Sequence, residues 1–236
     1  KKKKRDQHDK EVITSATGDL IQHDASIHKW SPYADEKWTL ITSLDDYSRM
    51  ILYAELVESE TSWAHIQAAQ TLMQTFGIPL RYYVDNLRVF RFIQNRDSVW
   101  RKHVLGTDDV NTQWREVLAR MHTDVIYALS PQAKGKIERP FRWMQDRIVR
   151  TCALEHVTTL KDVRAVLHEE IHRYNYLQVH STTQEIPAIR FEKAKQEHKT
   201  VFRPFSLPQP YVSAKDIFCI RHNRIADGYR KVSIAG

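Results

Sequence analysis

Three acidic side chains sit where acids are costly or out of place. Asp24 falls inside an extended run, "DLIQHDASIHK" (19–29), and Asp85 closes another, "LRYYVD" (80–85). Glu138 stands among basic residues in "SPQAKGKIERPFRWMQDRI" (130–148). An ionised carboxylate in a central strand is expensive unless it is paired or binds metal. No basic partner lies beside Asp24 in sequence. Carboxylate oxygens are the hard donors that Mg²⁺ prefers, and a few of them leave coordination positions for water and a substrate phosphate. Two such ions, about 3.5–4 Å apart, activate an attacking oxygen and stabilise a leaving one in an in-line phosphoryl displacement. Three carboxylates from separate elements suffice for that chemistry.

The elements that must position them follow from periodicity. Residues 19–29 and the two runs of 38–57 around Asp45-Asp46 predict three consecutive strands. Trp63, Ile66, Ala69, Met73 and Phe76 recur at helical spacing, and Gly77 and Pro79 supply stop signals. A short strand over 80–85 follows. After it come a basic irregular stretch, a helix around Trp114, Val117, Leu118 and Met121, and a fifth strand over 124–129. A helix carries Glu138, and another runs from Leu160 to Tyr174 behind a Thr159/Asp162 capping pair. Strands first, then strand and helix alternating, predict a mixed α/β domain. Beyond Phe202, "FRPFSLPQP" reads as a Pro-rich linker. "DIFCIRHNRIADGYRKVSI" reads as a hairpin that starts a small C-terminal β domain. The expected division is a basic tail (1–14), a catalytic core (15–200), and a linker with a truncated β domain (201–236).

Charge and cysteine content narrow the class. The net charge is +7, but residues 1–10 alone hold five Lys, one Arg and two Asp, so much of the basicity belongs to a tail. Lys134, Lys136, Arg139, Arg142, Arg147 and Arg150, against Glu138 and Asp146, concentrate a further +4 around the glutamate. Cys152 and Cys219 show no paired ligand spacing, so neither a disulfide framework nor a cysteine zinc site is supported. No run approaches the ~18 apolar residues of a membrane span, and the N-terminus has no apolar leader. The expected location is the cytoplasm, without membrane partners.

These residues resemble the DDE transposases and retroviral-type integrases. The resemblance covers about residues 15–195. It runs through "HDASIH", "TSLDDYSRMILYAEL", "FGIPLRYYVDN", the Glu138 segment and "YNYLQVHSTTQEIPAIRF". It implies an RNase H-like five-stranded mixed sheet flanked by helices. It also implies a catalytic, metal-binding triad of Asp24, Asp85 and Glu138 holding two Mg²⁺, with Mn²⁺ as a substitute. Lys134, Lys136, Arg139 and Arg142 would hold DNA phosphates. The implied activity is 3′-end cleavage followed by strand transfer, in a bacterial insertion-sequence enzyme that works as a homo-oligomer on transposon ends and target DNA at the nucleoid. A hydrolytic nuclease of the same fold, or a domesticated DNA-binding protein, is the alternative. The chain departs from the family in three ways. Asn86-Leu87 replaces the usual Asn-Gly, about fifty residues separate Asp85 from Glu138, and extra chain lies over 88–111. The helix-turn-helix common at the amino terminus of such transposases is not in this sequence, so a fragment is expected.

One rival motif needs an answer. "HEEIH" (168–172) matches the zinc-peptidase signature through His168, Glu169 and His172, with Glu192 downstream. The apolar set Val163, Val166, Leu167, Ile171 and Tyr174 places both histidines on the opposite, solvent side of the helix. His23 and His28 flank Asp24, but strand alternation turns His23 to the other face and sets His28 about 13 Å further along. Both are expected to be structural. Trp63 and Trp114 are expected in the core, and Trp143 to be available for stacking on a base.

Overall fold

The computed structural model describes residues 14–84, 110–128, 135–222 and 228–229. Asp85, Lys134, the basic tail to residue 13, most of the 88–111 stretch and most of the expected second hairpin strand lie outside them. Five strands form one mixed sheet: β1 (Leu20–His28), β2 (Trp38–Asp45), β3 (Ile51–Val57), β4 (Arg81–Val84) and β5 (Asp124–Tyr127). Their order is β3-β2-β1-β4-β5. β2 pairs antiparallel with both β1 and β3, and β4 pairs parallel with β1 and β5. β1 is therefore the middle strand.

Helices cover both faces. On one side, α1 (Ser62–Phe76) and α2 (Val110–Arg120) pack Ile66, Leu72, Met73, Trp114 and Leu118 against Ile21, Tyr82 and Val84. On the other, α3 (Gly135–Leu154) and α4 (Leu160–His172) pack Phe141, Met144, Ile148, Val163 and Leu167 against Leu40, Leu44 and Leu56. Thr61 caps α1 through Ala64 N–H, and Thr159 caps α4 through Asp162 N–H, as the capping pair predicts. No helix of the described residues is long and apolar enough to cross a membrane.

The α4 segment ends differently from its periodicity. The regular helix stops at His172, and a π-helical turn spans Arg173–Leu177. This widened turn carries the consecutive residues Tyr174 and Asn175 inward together. Asn175 then accepts from Ile51 N–H and donates to Ile51 C=O, both at 2.9 Å, and so closes part of the exposed β3 edge. Trp63 is a correction: it is 40% exposed. It is the second residue of α1, and the buried stripe runs instead through His65, Ile66, Ala69, Leu72 and Met73.

Residues 200–218 also differ from the expected linker and first hairpin strand. Thr200 bridges Thr17, and Arg203 pairs with Ile78. Phe202, Phe205, Leu207 and Tyr211 pack on the α1/α2 core. Ser213 and Asp216 form a capping box that starts a short helix, α6 (Ala214–Ile217), where a strand is predicted. Ile217 and Phe218 are buried in the core, so apolar side chains spaced along a Pro-rich stretch serve as anchors. Between α4 and this strap lies α5 (Pro187–Gln196), whose Phe191 enters the same core.

The β2–β3 turn is a polar knot. Asp45, wholly buried, accepts from Gly18 N–H at 2.9 Å, Ser48 N–H at 2.8 Å and the Ser48 hydroxyl at 2.6 Å. Asp46 accepts from Gln22 at 2.7 Å and from Arg49 at 3.0 Å. Gly18 takes a positive φ of 79°, and a Cβ there would meet the Phe202 ring at 2.6 Å.

Burial outweighs those hydrogen bonds and pushes the Asp45 carboxyl up to about 6. Below about pH 4 the group is neutral in both states. Between 4 and 6 the unfolded chain releases a proton that the fold retains, so stability falls as pH rises through this window. At 1.36 kcal/mol per pKa unit, the loss from this group is about 3 kcal/mol. Urea titrations from pH 4 to 7 are expected to show that slope in the natural chain relative to Asp45→Asn. A pH-independent difference between the two would contradict it.

Candidate active site

Asp24 lies in the middle of the middle strand, opposite Thr42 of β2, and its side chain is half-buried. Alternation places Asp24 and Ser26 on the sheet face covered by α3 and α4, and His23 on the face covered by α1 and α2. Each side of β1 has its own chemistry.

Behind Asp24, a polar chain crosses the dry face. The Ser43 hydroxyl lies 2.8 Å from His23 Nδ1, His23 Nε2 lies 2.8 Å from His65 Nδ1, and His65 Nε2 lies 3.1 Å from the Glu60 carboxylate. Both imidazoles are fully buried. With Glu60 as terminal acceptor, His65 Nε2–H donates outward, His23 Nε2–H donates to His65, and Ser43 O–H donates to His23. His23 also stacks on Trp114 at 5.7 Å and meets the edge of Tyr82. It is a core histidine, as alternation predicts. His28 packs edge-on against Trp30 at the far end of the strand.

On the other face, α3 lies along β1. Phe141, Met144, Ile148 and Cys152 form its buried stripe, and Gln145 Nε2 donates to Ser26 Oγ at 3.1 Å. Glu138, Lys136 and Arg139 fall in the first turns of this helix, but their side chains are outside the described set. Arg142 is exposed. Trp143 is half-buried: it packs against Tyr174 at 5.4 Å, and the Arg147 guanidinium lies over its ring. Among the described residues, no group of three His, Cys, Asp or Glu could hold a metal ion.

The rival motif forms no such centre either. His168, Glu169 and His172 are exposed, His172 stacks on Tyr176, and Glu192 pairs with Lys195. A catalytic zinc needs enclosure and partners that orient its ligands, which this face lacks. Sequence reasoning missed the Ser43–His23–His65–Glu60 chain and the Gln145–Ser26 contact, because each joins residues distant in sequence. The seven-residue interval from Glu138 to Gln145 was the only available hint.

Comparison with known proteins agrees with this fold. No protein-family model matches the chain. It is similar to a putative transposase, y4bF, of Sinorhizobium fredii, with 29% identity over 175 residues covering 74% of this chain and 36% of that protein. It is also similar to the transposase for insertion sequence IS1202 of Streptococcus pneumoniae, with 28% identity covering 67% of this chain and 32% of that one. The chain thus spans about a third of the length of the curated relatives it matches. Among solved structures, the HTLV-2 integrase catalytic core domain in complex with magnesium superposes with a TM-score of 0.53 at 15% identity, over 77% of this chain and 99% of that one. A chain of the simian T-cell lymphotropic virus intasome in complex with PP2A regulatory subunit B56 gamma gives a TM-score of 0.57 at 15% identity, over 89% of this chain and 66% of that one. The chain has the RNase H-like fold of these integrase catalytic cores, and its sequence is similar to those of the two transposases.

Replacing His65 by Leu removes the acceptor of His23 Nε2–H inside the core. The expected loss is about 1–3 kcal/mol in urea unfolding. Glu60→Gln, which keeps an acceptor oxygen at the half-exposed end, is expected to lose less. Equal effects would show that the two histidines do not act as one chain.

Proposed function

We propose that this chain is the catalytic core of a metal-dependent DNA transposase that cleaves 3′ ends and joins them to target DNA, with Asp24, Asp85 and Glu138 as its metal-binding carboxylates. The observation that carries this is the register between β1 and β4. Leu20, Ile21 and Gln22 pair with Arg81, Tyr82 and Tyr83 at a constant offset of 61 residues, which is also the interval from Asp24 to Asp85. Val84, the last described residue of β4, directly precedes Asp85 in a strand that pairs with the one bearing Asp24. The helix containing Glu138 lies along the same face of β1 as Asp24.

The donor set fits magnesium. All three groups are hard carboxylate oxygens, and Asp24 is half-exposed on the face toward α3. Two bound Mg²⁺ ions, or Mn²⁺ in their place, supply Lewis-acid activation of an attacking oxygen and charge stabilisation at the leaving one. The chain's own work is placement. Asp24 is held by ladders on both sides of its strand, and the dry face behind it keeps water to one side of the sheet. Lys134, Lys136, Arg139 and Arg142 take phosphates and set where the scissile bond rests. Water displaces the 3′ oxygen of a phosphodiester at an element end; the freed 3′-hydroxyl then displaces a 3′ oxygen in target DNA, so one new phosphodiester replaces the target bond that is broken. No enzyme-linked intermediate is required. Joining two ends calls for more than one subunit, working on DNA in the bacterial cytoplasm. A nuclease with the same triad yields nicks without joined product, and a domesticated binder yields neither.

The test uses the full-length protein and a duplex carrying the terminal sequence that flanks its own gene, with Mg²⁺ or Mn²⁺. Glu138→Gln is expected to lower cleavage and joining by orders of magnitude while binding persists or tightens, because one repelling charge is gone. Replacing Lys134, Lys136, Arg139 and Arg142 by Ala is expected to weaken binding across sequences and flatten its salt dependence. Joining retained by Glu138→Gln refutes its role. Unchanged binding by the fourfold variant moves the DNA path elsewhere.

A further inference from the structure

If Asp24 on β1 and Glu138 on α3 share a metal site, the alignment of α3 against β1 is a functional variable, and one polar contact is placed to set it. We infer that Gln145, acting through Ser26, is a positioning residue that fixes the register at which α3 presents Glu138 to Asp24. The inference rests on the metal-site reading above and deepens it.

Ser26 lies two residues beyond Asp24 and so shares its strand face. Gln145 lies seven residues beyond Glu138. Seven steps of 100° return to within about 20° of the same helical face, about 10.5 Å further along the axis. The contact at 3.1 Å thus ties a position beside one carboxylate to a position in line with the other. Most of what holds α3 is non-directional: Phe141, Met144, Ile148 and Cys152 bury apolar surface, which tolerates small slides and rotations. A hydrogen bond between two half-buried groups does not.

The chemistry of α3 supports this use of the amide. Arg142, Arg147 and Arg150 are exposed, whereas Gln145 is half-buried and turned to the sheet. A neutral amide there gives direction without adding a charge that competes for the carboxylates. Pro140 lies between the two positions and removes one rung of the helical ladder. It is itself buried, so the helix is clamped at the interruption.

The experiment measures Mg²⁺ dependence of end cleavage by the full-length protein on its own terminal duplex. It compares Gln145→Leu, Ser26→Ala, the double variant and Ser26→Thr. Either single loss of the contact is expected to raise the Mg²⁺ needed for half-maximal cleavage by about tenfold, the lower range for removing a group that orients metal ligands. Affinity for the duplex in Ca²⁺ stays within about twofold, and the double variant is no worse than either single one, because both remove one interaction. Ser26→Thr keeps the acceptor hydroxyl and is expected to behave as the natural chain. An unchanged Mg²⁺ requirement, or additive losses, overturns the inference. Weakened DNA binding by Gln145→Leu overturns it too, by making Gln145 a DNA contact. Should Gln145→Leu fail to fold, as judged by its thermal melt, Ser26→Ala carries the same comparison. Asp24→Asn serves as the control: if it still cleaves, the metal-site reading itself falls. If it is inactive while the Gln145 and Ser26 variants keep the natural Mg²⁺ requirement, only the positioning role falls.

Discussion

The structure depends on the backbone ladder that holds β1 between an antiparallel neighbour and a parallel one. β2 pairs with it from Ile21 to His28, and β4 from Leu20 to Gln22. A strand bonded on both edges can neither slip nor twist without breaking several hydrogen bonds at once, and a slip by one residue would exchange its two faces. Asp24 and His23 are adjacent in sequence yet belong to opposite environments. That separation follows from the pleat, and it persists because the register is locked.

Each face then solves a different problem. Toward α1 and α2, β1 presents Ile21 and His23 to a packed core, where the imidazole is accommodated through the Ser43, His65 and Glu60 chain and its ring contacts with Trp114 and Tyr82. Buried polar groups are tolerable when each finds a partner, and this chain ends at a carboxylate that still reaches solvent. Toward α3 and α4, the same strand offers Gln22, Asp24 and Ser26. Gln22 is absorbed by Asp46 and Ser26 by Gln145, while Asp24 remains half-exposed. The one acid of β1 thus faces the side where solvent and α3 meet.

The periphery keeps this centre in place by hydrogen bonds to backbone together with ion pairs, Arg164 with Glu55 and Arg190 with Glu185. Asn175 satisfies the edge of β3 at Ile51, and Arg164 reaches Leu56 C=O on the same strand. Arg190 of α5 donates to Tyr47 C=O and lies over its ring at 4.4 Å, which ties the β2–β3 turn to the last long helix. Arg203 in the terminal strap donates to the carbonyls of Met121 and His122, where α2 ends. Guanidinium groups suit this role because their planar donors meet several carbonyls and their charge offsets the negative end of a helix.

The order and type of the main elements were legible in the sequence. Alternation over 19–29 and 38–57, helical spacing from Ile66 to Met73, and the Thr159/Asp162 cap are local signals, and local signals determine local structure. The position of Asp24 within a central strand, and the exposure of His168 and His172, followed from the same periodicities. Trp63 was misread because a stripe counted along a helix does not say where the sheet beneath it ends. The strap over 200–218 was misread because Pro-rich composition marks the absence of regular structure, not the absence of packing. Tertiary structure alone decided which distant residues meet: His65 with His23, Asn175 with Ile51, Gln145 with Ser26, and a β1–β4 register whose offset equals the interval between two aspartates. Such pairings depend on how helices lie across a sheet and how strands align, and no local pattern in the chain encodes that alignment.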